Sequence, residues 1–109
     1  MAEIVIAERK VILRDKFKAG ESLGVVAGWA NMYPVGKLPF AEQVGPMLPV
    51  VTNWELPGDC RDLAAWAELD VFTEFIPLWA AIAKHLNDLY DARTTTAKNS
   101  DAPPISPGA

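Results

Sequence analysis

Apolar residues recur at steps of three and four through one stretch of the second half, from Asp70 to Arg93 (DVFTEFIPLWAAIAKHLNDLYDAR). This period predicts an amphipathic helix, with most polar side chains on the opposite face. The residues that share the apolar face are Phe72, Phe75, Ile76, Trp79, Ile82, Ala83, Leu86, Leu89 and Tyr90. Because such a stripe is unstable in water, the rest of the chain is expected to supply the surface that covers it.

The first third of the chain has two different patterns. Residues 3–13 are rich in Ile and Val, which favours one strand or a tight hairpin, with an amphipathic helix as the alternative. Residues 21–32 predict a short helix, whose candidate core positions are Leu23, Val26, Ala27 and Ala30. Glycines spaced by four, at positions 20, 24 and 28, either let another backbone approach this helix or weaken it into a loop.

Prolines interrupt the middle of the chain. Residues 40–51 predict a helix that is either kinked or ends near Gly45, because Pro46 and Pro49 lie inside the pattern. Residues 52–59 are typical of a turn-rich link, after which Asp59 is a candidate N-cap for a helix over 61–69. Asp70 is expected to cap the long helix, and Pro77 predicts that this helix kinks or becomes regular only after Phe75.

These elements predict a mainly α fold. The expected domain is small and helical, covers residues 1–93, and has a short N-terminal β-strand or hairpin. Residues 94–109 (TTTAKNSDAPPISPGA) contain almost no large apolar side chain, so a disordered C-terminal tail is predicted.

Composition narrows the class of protein. A chain of 109 residues with a net charge of −4 is expected to form one domain, and it lacks the clustered basic residues of a nucleic-acid binder. A single cysteine indicates a reducing compartment. No apolar run is long enough for a membrane span or a signal peptide, so we expect a cytoplasmic location. Four tryptophans are a high count for this length and predict either a dense core or a surface that a partner covers.

Reactive side chains are few. His85 lies at the edge of the apolar stripe and Cys60 lies between Asp59 and Arg61, and both are more consistent with structural than with chemical roles. No phosphate-binding loop and no metal-ligand spacing is recognisable. We therefore predict no catalytic residue, no metal and no cofactor.

One stretch resembles a known family. Val51-Thr52-Asn53-Trp54-Glu55-Leu56, a Pro-Gly-Asp turn, Leu63, Trp66 and then the long helix are similar to the small tail assembly chaperones of long-tailed, siphovirus-type bacteriophages. The resemblance implies a protein of the host cell cytoplasm that has no enzymatic activity. Its expected partner is the tape measure protein, which it keeps soluble during tail tube assembly. In a longer, frameshifted form, the extension is expected to recruit the tail tube protein.

Candidate contact residues follow from this hypothesis. Aromatic and Met side chains are the favoured anchors of a protein surface, and the candidates are Trp29, Met32, Tyr33, Met47 and Trp54, with an ordinary place in the core as the alternative. We also expect self-association, through the glycine-spaced helix or a free sheet edge. Two other functions stay open: a structural connector or head-tail completion subunit of a phage particle, and a small helical regulatory binding module.

Overall fold

The computed structural model describes residues 2–99, without the side chains of residue 21 and of residues 93–99. Three strands and four α-helices follow one another, together with a 3-10 segment and one π turn. In chain order they are β1 (Ala2–Ile6), β2 (Arg9–Leu13), α1 (Ala19–Ala30), α2 (Phe40–Val44), the 3-10 segment Gly45–Val50, β3 (Val51–Trp54), α3 (Leu63–Ala67), the π turn Val71–Phe75, and α4 (Ile76–Asn99).

The strands form one antiparallel sheet in the order β1-β2-β3. The predicted hairpin is confirmed: β1 pairs with β2 through a two-residue turn, in which Ala7 and Glu8 adopt positive φ angles of 50° and 66°. Such angles give the turn the twist that tight hairpins favour, although neither residue is a glycine or an asparagine. β3 then pairs with β2, with an irregular register beside Leu13. Alternation along the strands buries one face of the sheet, including Val11, Leu13 and Trp54.

The prediction of a mainly α fold is wrong, because the chain is a small mixed α/β domain with a three-stranded antiparallel sheet. β3 is the element that makes the difference. Its residues were predicted to belong to a helix and a turn-rich link, but Val51 and Trp54 pack into the core as strand residues. The preceding prolines explain the change, because Pro46 and Pro49 limit the helix α2 to five residues and force a 3-10 segment after it.

α4 supplies the centre of the core. Leu78, Trp79, Ile82 and Leu86 are buried at helical spacing. The apolar period predicts Trp79, Ile82 and Leu86 on this face but does not include Leu78, and Ile76, which it does include, is 40% exposed. The predicted apolar face is not buried upstream of Phe75. There, a hydrogen bond from Phe75 N to Asp70 O (2.8 Å) closes a π turn. The ring of Pro77 would clash with the carbonyl of the residue four positions earlier in a regular helix, and the wider turn avoids this. The helix therefore becomes regular only from Ile76, as predicted.

α1 packs on the 3-10 segment through one glycine. A Cβ atom built on Gly28 would lie 2.6 Å from Met47 Sδ and 2.8 Å from Pro46 Cβ, whereas one on Gly20 or Gly24 would meet nothing within 4 Å. Only Gly28 of the predicted glycine ridge therefore permits a close approach. The predicted core face of α1 is wrong, because Leu23, Val26, Ala27 and Ala30 are exposed while other positions, such as Val25, are buried.

The C-terminal boundary differs from the prediction in one respect. α4 continues to Asn99, past the domain end expected at residue 93. The rest of the predicted disordered tail, residues 100–109, lies outside the described residues.

Candidate functional site

An apolar groove of about 310 Å³ opens where the π turn meets α2 and α3. We call it the α4 groove because the π turn that lines it leads directly into α4. Its apolar lining consists of Val35, Leu38, Phe40, Val44, Trp66, Ala67, Leu69, Val71 and Phe75. Within this lining, the rings of Phe40 and Phe75 lie 6.1 Å apart, and the Phe75 ring stacks on Trp79 at 5.3 Å. These aromatic contacts connect the exposed Phe40 through the buried Phe75 to the core.

The π turn leaves apolar side chains exposed next to the lining residue Val71. Phe72, which follows Val71 in the chain, is 77% exposed, whereas Val71 and Ile76 are 47% and 40% exposed. A helical period of 3.6 puts Phe72 on the buried stripe, but the wider π turn changes the direction of the side chains that precede Phe75. Exposed large apolar side chains that adjoin an apolar groove are typical of a surface that another molecule covers.

Gln43 holds one wall of the groove in place. Its side chain is only 5% exposed, and its Nε2 donates to the backbone carbonyls of Asn31 (3.2 Å), Met32 (3.1 Å) and Pro34 (3.1 Å). Its Oε1 accepts a hydrogen bond from Gly36 N at 2.8 Å. One buried amide therefore ties residues 31–36 to α2, and this loop carries the lining residue Val35.

Carboxylates alternate with the lining residues along the chain. Glu42, Glu68, Asp70 and Glu74 all adjoin residues of the lining, and the first three are exposed. Asp70 is also the predicted helix cap, because its Oδ2 accepts from Thr73 N (2.8 Å) and Thr73 Oγ1 (2.7 Å), while Asp70 N donates to Glu74 Oε1. The hydrogen bond from the Thr73 hydroxyl, followed by that from its backbone, lowers the pKa of the Asp70 carboxyl. The chain segments that line the groove thus carry four carboxylates and one basic residue, Lys37, next to lining residues.

The predicted contact residues do not gather in this groove. Met32 and Met47 lie in the core, as does Trp54, whose ring packs 5.3 Å from Trp66. Trp29 is half-buried against Tyr90 at 5.7 Å, and Tyr33 is 50% exposed in the turn after α1. The five residues are spread over the fold, and the three core residues have little area to offer a partner. Sequence reasoning missed Val35, Phe40 and Val71 as surface residues, and it assigned Phe72 to the core.

Each tryptophan ring N–H has a partner. Trp54 donates to Gly58 O (2.8 Å), Trp66 to Cys60 O (2.8 Å) and Trp79 to Met32 O (2.9 Å), while Trp29 donates to Asn87 Oδ1 (3.1 Å). Three of the four rings thus fasten a loop carbonyl to the core. The high tryptophan count therefore corresponds mostly to a dense core rather than to an exposed aromatic surface.

The two reactive side chains are held in structural contacts. His85 Nε2 donates to the carbonyl of Arg14 at 2.6 Å and thereby joins α4 to the end of β2. Burial, and then the charge of Asp59, raise the pKa of the Cys60 thiol, which is 4% exposed. Among residues 2–99, no three His, Cys, Asp or Glu side chains form a group that could hold a metal ion. Over the same range, no helix has the length and apolar character that crossing a bilayer requires.

Comparisons with protein-family models, with curated proteins and with solved structures find no match to this chain.

Proposed function

We propose that the protein is a binding module that covers an apolar helix of another protein with its α4 groove. The observation that carries the proposal is the groove itself, an apolar channel whose lining residue Val71 is exposed and is followed in the chain by the exposed Phe72. Amphipathic helices bind such grooves by inserting apolar anchors spaced by three or four residues. The volume of about 310 Å³ gives room for a few anchor side chains and lies at the lower end of the range for ligand pockets.

The carboxylates of the lining segments specify the chemistry of the helix. Glu42, Glu68 and Asp70 are exposed and adjoin lining residues in the chain, and they outnumber the one basic residue that does so, Lys37. A helix with Lys or Arg beside its apolar stripe gains favourable electrostatic contacts there, whereas an acidic helix is repelled. The apolar anchors supply most of the affinity, and the charges set orientation and the choice of partner.

The particular function that we infer is that of a phage tail assembly chaperone. The support for it is the resemblance of the segment from Val51 through the long helix to that family, together with a groove suited to helices that would otherwise aggregate. The client is the tape measure protein, bound in the host cytoplasm before the tail tube forms around it. Covering its apolar stripes prevents their self-association, and release follows when tube subunits compete for the same stripes.

Co-expression tests the proposal. The chain is produced together with the large, helix-rich product of the neighbouring gene, and the soluble fraction of that product is measured. The wild type is expected to raise this fraction, and the double variant Val71→Ser with Phe72→Ser is expected to lose most of the effect. The matched control is Val5→Ser, which removes an exposed apolar side chain from β1, away from the groove lining. Equal rescue by all three proteins would refute the role of the groove.

Mass spectrometry of purified particles separates this function from that of a structural connector. A chaperone is absent from the finished particle, whereas a connector or completion subunit is present in fixed stoichiometry. Detection of the present protein in the purified particle would overturn the chaperone assignment. It would not affect the assignment of the groove as a helix-binding surface.

A further inference from the structure

We propose that the outward face of α1 is a self-association surface on which two copies of this chain pack around a two-fold axis. We call this surface the α1 face, and it consists of Leu23, Gly24, Val26, Ala27 and Ala30. It shares no residue with the lining of the α4 groove, so this inference is independent of the client-binding proposal.

The composition of α1 is the first observation. A helix at the surface of a folded chain normally has a polar outer side, but the segment from Leu23 to Ala30 (LGVVAGWA) carries no charged residue. Gly28 packs its inner side on the 3-10 segment, and yet Leu23 is 67% exposed and Val26 is 52% exposed on the outer side. A helix that is apolar on both sides is stable in water only when both sides are covered.

A second apolar groove adjoins the α1 face. It has a volume of about 460 Å³ and lies between α1 and the C-terminal part of α4, where it is lined by Lys16, Phe17, Val26, Leu86, Leu89 and Tyr90. Val26 belongs to both the groove and the α1 face, and Leu23 projects one helical turn away from it. An exposed apolar side chain and an apolar groove therefore lie next to each other on one surface.

This pairing favours a second copy as the occupant. In a two-fold interface the same patch meets itself, so Leu23 of each copy can enter the groove of the other, and both are covered at once. The α1 face carries no charge, and Lys16 is the one charged residue of the groove lining. Gly24 has open space where a side chain would stand, which lets two α1 helices cross closely. α1 spans only about 18 Å, and a stable dimer buries about 800 Å² per partner, so the proposed interface includes the groove lining as well as the α1 face.

Sedimentation velocity on the full chain measures the oligomeric state. The wild type is expected to sediment as a dimer of the 11.9 kDa chain, and Leu23→Glu combined with Val26→Glu is expected to sediment as a monomer with an unchanged far-ultraviolet circular dichroism spectrum. Both side chains are exposed, so the charges are tolerated in the isolated fold. A monomeric wild type, a larger ring, or a variant that stays dimeric would each overturn the proposal.

Cysteine cross-linking locates the contact. Cys60 is buried, so the wild type offers no accessible thiol in the folded state. Under mild oxidation, Ala27→Cys is expected to form a disulfide-linked dimer, whereas Lys84→Cys, on an exposed position of α4, is expected to stay monomeric. Cross-linking of both variants to the same extent, or of neither, would contradict the placement of the two-fold axis beside α1.

Discussion

Replacing Gln43 should loosen the wall of the α4 groove and destabilise the fold, because one side chain holds a whole loop. In Gln43→Leu, the Gly36 N–H loses its acceptor, and the carbonyls of Asn31 and Pro34 lose a donor. The carbonyl of Met32 keeps its bond from Trp79 Nε1. A net value of about 1 kcal/mol per hydrogen bond, partly offset by the apolar character of leucine, predicts a loss of about 2–3 kcal/mol.

Gln43→Glu gives a sharper test of the same contacts. The introduced carboxyl keeps an acceptor for Gly36 N but turns its other oxygen toward three carbonyls. Burial and these dipoles raise the pKa of that carboxyl above its value of about 4.3 in the unfolded chain. Because the folded pKa is the higher one, the protonated variant is the more stable form, and stability is lost as the pH rises through the folded pKa. The deficit relative to wild type should therefore be small at acid pH and largest at neutral pH.

Urea denaturation, followed by tryptophan fluorescence at several pH values, measures both effects. Glu42→Gln is the matched control, since it changes an exposed neighbour on the same helix and should alter the free energy of unfolding by less than about 0.5 kcal/mol. A loss below that value in Gln43→Leu, or a pH-independent deficit in Gln43→Glu, would refute the assignment of Gln43 as the tie between α2 and the loop.

Three further predictions concern single positions. Gly28→Ala should lower the free energy of unfolding in denaturant by about 1–3 kcal/mol, because the new Cβ would meet Pro46 and Met47. Gly20→Ala, where a Cβ has open space, should be neutral or slightly stabilising, and equal effects of the two changes would contradict the close contact at Gly28. Ala7→Asn with Glu8→Gly should raise the unfolding free energy by about 1–2 kcal/mol because both residues have positive φ, and no gain would argue against this turn. Asp70→Ala should be less stable than wild type at neutral pH, because the pKa of the Asp70 carboxyl is lower in the folded than in the unfolded chain. The stability that Asp70 adds is present above its pKa in the unfolded chain and is lost as the pH falls through its pKa in the folded chain. A difference between the two proteins that persists at the lowest pH would show another cause.

Local patterns in the sequence predict part of this fold. The period along α4 identifies Trp79, Ile82 and Leu86 as core, and Asp70 is recognisable as a cap from residue type and position. The Ile and Val residues of the N-terminal segment favour a strand or a hairpin, although they leave the turn unassigned. These features depend on neighbours within a few positions, which is the range over which sequence patterns carry information.

The remaining features depend on contacts between distant segments. β3 is a four-residue strand that follows a proline-containing segment, and its identity depends on pairing with β2 from the other end of the domain. The turn at Ala7 and Glu8 has no glycine or asparagine to signal it. The α4 groove was missed because its lining comes from segments that lie far apart in the sequence, such as Val35, Trp66 and Phe75. The exposure of Phe72 was missed because a π turn precedes Pro77, although its spacing assigns it to the core. Pro77 was the available signal, since it excludes a regular helical turn upstream.

The fold also places the apolar positions of α1 differently from the sequence prediction. Leu23, Val26, Ala27 and Ala30 have the composition of a core face, and the sequence pattern assigns them to the core. In the folded chain they face outward while Gly28 makes the inner contact. A pattern of apolar residues looks the same in the sequence whether that face packs on the same chain or on a second copy.

Site-specific photocross-linking tests the central claim most directly. A benzophenone amino acid is placed at position 72, where Phe72 is exposed next to the groove-lining residue Val71, and in a separate protein at position 5, where Val5 is exposed on β1. Each protein is co-produced with the large helical product of the neighbouring gene and irradiated. We predict a covalent adduct with that product from position 72 and none from position 5. No adduct from position 72 while the product stays soluble, or equal adducts from both positions, would contradict the assignment of the groove as the client-binding surface.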